Sequence, residues 1–97
     1  MPTYVTLVNW TDQGIKNVKD TTRRAEQFSK LVTQLGGRVI GLYWTQGPYD
    51  LVAISESPDE ETATVVSLTL GQTGNVRTIS LRAFSAEEMQ GILDKLP

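Results

Sequence analysis

Neither cysteine nor histidine occurs among the 97 residues of this chain. Without cysteine it can form no disulfide, no thiolate nucleophile and no iron–sulfur cluster. Without histidine it lacks the imidazole that often acts as general base and that commonly binds haem iron or zinc. We therefore predict no cofactor and no metal site.

Long apolar runs and an excess of positive charge are also missing. No stretch approaches the roughly 20 apolar residues of a membrane-spanning helix, and the N-terminus shows no signal-peptide pattern. The formal net charge is −2, and the basic residues are scattered apart from Arg23 and Arg24. Proteins that bind double-stranded nucleic acid usually carry a basic face. These features predict a cytoplasmic protein that binds neither nucleic acid nor membranes.

The composition predicts a single globular domain over residues 1–97. Hydrophobic residues make up 39% of the chain and charged residues 21%, which is typical of globular proteins. A chain of this length buries only about 60–70% of the surface that its unfolded form exposes. A partner subunit that covers a further apolar face would therefore add considerably to its stability.

The spacing of apolar residues predicts the order β-α-β-β-α-β with a trailing C-terminal helix. The predicted strands are Thr3–Trp10, Arg38–Thr45, Tyr49–Glu56 and Val76–Phe84. The predicted helices are a short turn at Gly14–Lys19, a long helix from about Thr22 to Leu35, and helices that begin at the capping boxes of Ser57 and Ser85. Two split β-α-β units with right-handed crossovers give an α+β, ferredoxin-like antiparallel sheet with both main helices on one face.

Strand alternation predicts which residues lie under the helices and which lie on the uncovered face. The residues predicted under the helices are Val5, Leu7, Ile40, Leu42, Val52, Ile54, Ile79 and Leu81. Those predicted on the uncovered face are Tyr4, Thr6, Val8, Trp10, Gly41, Tyr43, Thr45, Tyr49, Leu51, Ala53, Thr78, Ser80, Arg82 and Phe84. Such a face is too apolar for solvent, yet it holds hydroxyls and an arginine. It predicts a homodimer or higher homo-oligomer with a partly polar pocket between the sheet and the partner subunit.

Gly47-Pro48-Tyr49-Asp50 is the most distinctive short segment. Gly47 and Pro48 form a strong turn signal between two strands, but a tight hairpin does not require the tyrosine and the carboxylate that follow. We predict that Asp50 accepts backbone N–H groups or pairs with Arg77 or Arg38, so that it fixes the turn. A general-base role for Asp50 is the alternative.

Five side chains of the predicted uncovered face are candidate ligand-binding residues: Tyr4, Trp10, Tyr43, Tyr49 and Arg82. A tyrosine hydroxyl can donate to a ligand, and Arg82 can bind a carboxylate through two hydrogen bonds. Packing is the alternative role for the aromatic residues, and an ion pair between subunits is the alternative for Arg82. The function predicted is small-molecule binding or scaffolding by a homo-oligomer. The alternative is a cofactor-independent isomerase or monooxygenase that works with tyrosine, aspartate and arginine.

Three segments, Val5–Gly14, Gly47–Asp50 and Gly74–Thr78, resemble the GYD-domain proteins, small bacterial and archaeal proteins named for a Gly-x-Tyr-Asp-like element. The resemblance extends over essentially the whole chain. It implies the dimeric α/β-barrel form of the ferredoxin-like fold and so agrees with a homodimer. It implies no activity, because the function of the family is largely uncharacterised.

Overall fold

A computed structural model describes residues 1–97. Its strands are β1 (Thr3–Trp10), β2 (Arg38–Trp44), β3 (Leu51–Glu56) and β4 (Val76–Ala83), and its helices are α1 (Asp12–Lys16), α2 (Thr21–Gln34), α3 (Glu60–Gln72) and α4 (Ala86–Leu93), with a 3-10 turn at Val18–Asp20. The four strands form one antiparallel sheet in the order β2-β3-β1-β4. The predicted α+β, ferredoxin-like fold is confirmed. None of the helices combines the length and apolar character that crossing a bilayer requires.

Local residues explain where α2 ends and where α4 begins. Gly36, with φ +88°, follows the end of α2 in the left-handed conformation that glycine adopts without steric cost. The predicted capping box of α4 is present: Ser85 Oγ accepts the Glu88 N–H at 3.1 Å, and Glu88 Oε1 accepts the Ser85 N–H at 3.0 Å. The bond from the Ser85 N–H lowers the pKa of the Glu88 carboxyl, because it stabilises the charged form.

The predicted capping box of α3 is wrong, because Asp59 and not Ser57 is the N-cap. Asp59 has an extended backbone, and its Oδ1 accepts the Thr62 N–H at 2.7 Å. That hydrogen bond lowers the pKa of the Asp59 carboxyl. Ser57 is buried instead: its N–H donates to the Pro2 carbonyl at 3.0 Å and its hydroxyl donates to the Asp59 carbonyl at 2.9 Å. Ser57 therefore connects β3 to the N-terminus, and its hydroxyl accepts no N–H from the first turn of α3.

The helices cover the face of the sheet that was predicted to be uncovered. Val8, Leu51 and Ala53 are among the buried apolar residues, and Ala53 forms the core cluster with Phe28 and Val32 of α2. The predicted assignment of faces is therefore wrong for β1, β3 and β4. The physical reason is that both sets of alternating residues are apolar. On the covered face, the small residues Thr6 and Ala53 lie beside the Phe28 ring.

The uncovered side, called the open face below, consists of two cross-strand rows. One row is Gly41, Ile54, Val5 and Leu81, and the other is Tyr43, Val52, Leu7 and Ile79. Tyr43 is 63% exposed, Ile79 51% and Leu81 48%. The two rows contain no charged side chain. A face of this size and apolarity is unusual for a surface in permanent contact with water.

A β-bulge in β2 determines which of its residues join the core. Val39 pairs with Ser55 and Gly41 pairs with Ile54, so Ile40 lies between two consecutive partners on β3 and has none of its own. The extra residue shifts the alternation by one position. Leu42 therefore packs against the core as predicted, whereas Ile40, also predicted under the helices, is 53% exposed.

The connection between β2 and β3 is longer than predicted, since Thr45–Asp50 lies outside both strands. Gly47 has φ +127°, which side-chain-bearing residues rarely adopt. The loop is closed by Thr45, whose N–H donates to the Asp50 carbonyl at 2.8 Å and whose hydroxyl donates to the Tyr49 carbonyl at 2.6 Å. Tyr49 is thus a loop residue and does not belong to either face of the sheet.

Candidate functional site

The three segments that resemble the GYD-domain proteins meet at one end of the sheet, where β1 ends, β4 begins and the β2–β3 loop returns. Asp50 joins that loop to β1. Its N–H donates to the Val8 carbonyl at 2.9 Å, and its carboxylate Oδ2 accepts the Trp10 N–H at 2.9 Å. Asp50 therefore extends the pairing of β3 with β1 beyond Leu51. It makes no ion pair with Arg77, which lies in β4 opposite Asn9 and has no hydrogen bond to the neighbouring loop.

The start of α1 is attached to the loop between α3 and β4. Thr11 donates twice, from its N–H to the Asn75 carbonyl at 3.0 Å and from its hydroxyl to the Gly74 carbonyl at 2.6 Å. Gln13 Nε2 adds a bond to Asn75 Oδ1 at 2.9 Å. Gly14 is buried here, and a Cβ on it would lie 1.9 Å from the Asn75 carbonyl oxygen. The two segments approach so closely that only glycine fits at position 14.

A cleft of about 350 Å³ opens beside this end of the sheet, between α2, α3 and the strands. Its floor is apolar and includes Val8, Phe28, Leu51, Ala53 and Leu70. Trp10 lines the same cleft, and polar residues at its edge include Thr21, Arg24, Thr73 and Asn75. Arg24 is the one charged residue in the lining, which has no aspartate or glutamate. The cleft can therefore hold an apolar body and offers hydrogen-bond donors beside it.

Tyr4 and Arg82 lie on the helix-covered side, contrary to the prediction that they line a pocket on the uncovered face. Tyr4 lines a separate small pocket of about 30 Å³ under α3 and pairs in register with Arg82. The Arg82 guanidinium lies 4.5 Å from the centre of the Phe84 ring, donates to the Ala83 carbonyl and pairs with Glu88 at 3.7 Å. These contacts connect β4 with the start of α4 and leave Arg82 turned away from the open face.

The other three predicted ligand residues are also separated from one another. Trp10 lines the cleft, Tyr43 lies on the open face and Tyr49 lies in the β2–β3 loop. The Tyr43 ring covers Gly41, where an added Cβ would be 3.1 Å from its Cε2 atom. The expectation that all five residues line one pocket is therefore wrong, because it depended on the inverted assignment of faces.

Arg24 is the residue of the cleft that the sequence analysis missed. The signal was its place on α2, where Arg24, Phe28 and Leu31 follow the spacing of one helical stripe. A basic residue on the apolar stripe of a helix is directed toward the sheet, and this one accordingly lines the cleft. Thr73 and Asn75, which follow α3, also line the cleft, but no sequence pattern predicts that position for them.

Replacing Asp50 with alanine should lower the stability of the fold. The Trp10 N–H would lose its acceptor in a partly buried position, which costs about 1–3 kcal/mol. For a domain of this size that corresponds to a fall in Tm of very roughly 4–20 °C, measured by circular dichroism. Asp50→Asn is the matched control, since it keeps an acceptor oxygen and should lose less. Equal Tm values for wild type and Asp50→Ala would contradict the structural role.

Comparisons with known proteins agree with this architecture. The GYD domain family matches residues 4–93. A relative from Thermus thermophilus, named glutamine synthetase and cystathionine beta-lyase binding protein, is 34% identical over 90 residues, which cover 92% of this chain and 95% of that protein. The crystal structure of TTHA0845, also from Thermus thermophilus, superposes with a TM-score of 0.56 at 28% identity, covering 89% of this chain and 96% of that one. The chain belongs to the GYD domain family.

Proposed function

We propose that this chain is a homo-oligomeric binding protein, which forms a dimer through the open face and docks on other proteins through α4. The observation that carries the proposal is the apolar stripe of α4, which its own chain leaves uncovered. The two surfaces serve different partners, a second copy of the chain and an enzyme. Both proposals follow from apolar area that the fold exposes and leaves unpaired.

The open face has the composition of a dimer interface. Its two rows are apolar, while polar residues lie beyond them: Asn9 opposite Arg77 at one end, and Arg38 paired with Glu56 at 2.7 Å at the other. An apolar centre inside a polar rim is the usual organisation of protein interfaces. Because the same face is present on every copy, two copies can pack sheet against sheet with two-fold symmetry. Higher oligomers would need a further contact.

Helix α4 offers the docking surface. Every residue from Ala86 to Leu93 is exposed, and the Arg82–Glu88 ion pair is its side-chain link to the strands. Met89, Ile92 and Leu93 form one stripe of α4 and are 44%, 37% and 44% exposed, and Leu96, which is 66% exposed, follows just beyond the end of the helix. An amphipathic helix of this kind binds by laying its apolar stripe into a groove of a partner.

The relative from Thermus thermophilus supports a protein partner, because its name describes it as binding glutamine synthetase and cystathionine beta-lyase. We therefore infer that the partner of α4 is a metabolic enzyme. The glutamine synthetase and the cystathionine beta-lyase of the same host are the first two candidates. In this arrangement the chain supplies binding surface and no chemistry of its own.

The test is isothermal titration calorimetry of the purified chain against each purified enzyme. We expect wild type to bind at least one of them, and Leu93→Glu to weaken that binding at least tenfold, since burial of a leucine contributes about 1.5–3 kcal/mol. Gly91→Glu adds the same charge to the opposite side of α4, where an added Cβ has open space around it, and should bind like wild type. Absence of binding to both enzymes, or equal binding by Leu93→Glu, would overturn the docking proposal. If Leu93→Glu dissociates the dimer, α4 belongs to the subunit interface instead.

The two alternatives from the sequence find less support in this geometry. A small-molecule pocket between sheet and partner subunit retains Tyr43 as its candidate side chain, since Tyr4, Trp10 and Arg82 lie on the other side. A cofactor-independent enzyme would need a carboxylate base near a tyrosine hydroxyl in a cavity. The hydrogen bonds that cap α3 and α4 lower the pKa values of the Asp59 and Glu88 carboxyls, which disfavours these two as bases. Protein binding therefore remains the function that the geometry supports best.

A further inference from the structure

We propose that the cleft between α2, α3 and the sheet binds a small amphiphilic carboxylate, with its apolar chain on the floor and its carboxylate at Arg24. This site lies on the helix-covered side of the sheet. It is distinct from the open face and from α4, and it goes beyond the docking function proposed above.

The size and lining of the cleft match a ligand site better than ordinary core packing. Protein interiors leave few voids larger than a water molecule, whereas this space is about 350 Å³ and sits directly on core residues such as Phe28 and Ala53. Small-molecule sites commonly measure about 300–1,000 Å³ and combine an apolar lining with a few polar groups. The cleft meets both criteria, with an apolar floor and polar residues at its edge.

The charge of the lining indicates the charge of the ligand. Arg24 is half-buried and donates to two carbonyls, from Nη1 to Asn17 at 2.8 Å and from Nη2 to Gly14 at 3.4 Å. No carboxylate lies within ion-pair distance of it, whereas the neighbouring Arg23 pairs with Asp20 at 3.3 Å. A guanidinium has five N–H donors, so Arg24 retains donors for a further acceptor. An anion is the ligand that this group would attract.

A second donor lies in the same lining. Trp10 lines the cleft, and its Nε1–H makes no hydrogen bond within the protein, whereas that of Trp44 donates to Thr21 Oγ1 at 3.0 Å. Donors without acceptors, combined with the lack of acidic residues, disfavour a cation. A single arginine beside an apolar floor fits a monocarboxylate with an aliphatic or aromatic body.

The experiment compares octanoate with 1-octanol, which has the same chain without the charge. Binding is followed by calorimetry and by tryptophan fluorescence, because Trp10 lines the cleft. We expect octanoate to bind at least tenfold more tightly than octanol. Arg24→Gln should weaken octanoate binding at least tenfold and change octanol binding less than twofold. Arg23→Gln, the matched control on the same helix, should leave both affinities unchanged.

Two further variants keep the proposal testable if Arg24→Gln folds poorly. Arg24→Lys keeps the positive charge and should retain more octanoate binding than the glutamine variant, while Ala25→Phe fills the cleft and should abolish it. Failure of wild type to bind octanoate at millimolar concentration would overturn the proposal. So would equal loss of octanoate and octanol in Arg24→Gln, or full binding by Ala25→Phe. Leu93→Glu should bind octanoate normally, so this result does not depend on docking through α4.

Discussion

Ile79→Glu should convert the proposed homodimer into monomers, with the dissociation constant raised about 100-fold or more. Ile79 is 51% exposed in the row that it shares with Leu7 and Val52. In an isologous dimer each copy would bring one carboxylate into an apolar interface, and an unpaired buried charge costs about 3–5 kcal/mol. Every 1.4 kcal/mol changes the constant tenfold. Sedimentation equilibrium over micromolar concentrations measures the shift.

The control for this prediction is Leu68→Glu. Leu68 is an apolar residue of α3 that is 65% exposed on the helical side of the molecule. Its replacement adds the same charge and should leave the dimer intact, while Ile79→Val should dimerise like wild type. A wild-type protein that is monomeric at micromolar concentration would refute the open face as a dimer interface. Equal dissociation of the Leu68 and Ile79 variants would refute it as well.

Gly14→Ala should be the most destabilising single-methyl substitution in the chain. The new Cβ would lie 1.9 Å from the Asn75 carbonyl oxygen, and that oxygen is held by the Thr11 N–H at 3.0 Å. Relief of the clash requires separation of α1 from the α3–β4 loop. We expect a loss of about 3 kcal/mol or more, and a fall in Tm of roughly 10–20 °C, measured by circular dichroism.

Gly71→Ala is the matched control, because it places the same methyl group on a helix where, apart from the helix's own backbone, no atom lies within 4 Å. Alanine is a better helix former than glycine by about 0.5–1 kcal/mol, so Gly71→Ala should raise the Tm slightly. Opposite signs for the two substitutions are the expected result. If Gly14→Ala melts at or above the wild-type temperature, α1 and the loop do not pack as closely as described.

The order of elements was predictable because local signals decide it. The Ser85–Glu88 capping box, the glycines after α2 and the turn at Gly47 act within a few residues of each other, so they can be recognised without knowledge of the fold. The start of α3 was missed because Ser57 and Asp59 both have side chains that can cap a helix. Ser57 is held by the Pro2 carbonyl at the other end of the chain, and the capping role passes to Asp59.

The two faces of the sheet could not be assigned from alternation alone. When one set of alternating residues is polar, the pattern identifies the buried side. Here Val5 and Leu7 alternate with Thr6 and Val8, so both sides of β1 carry apolar side chains. The choice is made by packing, since Thr6 and Ala53 are small enough to lie beneath Phe28. The wrong assignment of faces also explains why the predicted pocket residues are separated. Tyr4, Trp10 and Arg82 lie on the helix-covered face and not on the open face.

The role of Asp50 and the place of Arg24 show two different limits of sequence reasoning. An aspartate near a turn was expected to bind backbone, and it does, but its acceptor role serves Trp10 on the neighbouring strand and not the turn itself. The partner of Asp50 could not be predicted, because it depends on which strand lies next to β3 in the sheet, and that strand is β1. Arg24 was visible on the apolar stripe of α2, yet only the separation of α2 from α3 creates the cleft that it lines.

The bulge at Ile40 limits how the protein can grow into larger assemblies. A regular edge strand exposes a row of unpaired N–H and carbonyl groups to which another chain can add, and repeated addition gives fibrils. In β2 the extra residue interrupts that row after Val39, and the opposite edge, β4, carries Arg77 and Arg82. In the proposed dimer, copies that associate through their open faces close into a finite unit, so high concentrations should favour complete dimers over filaments.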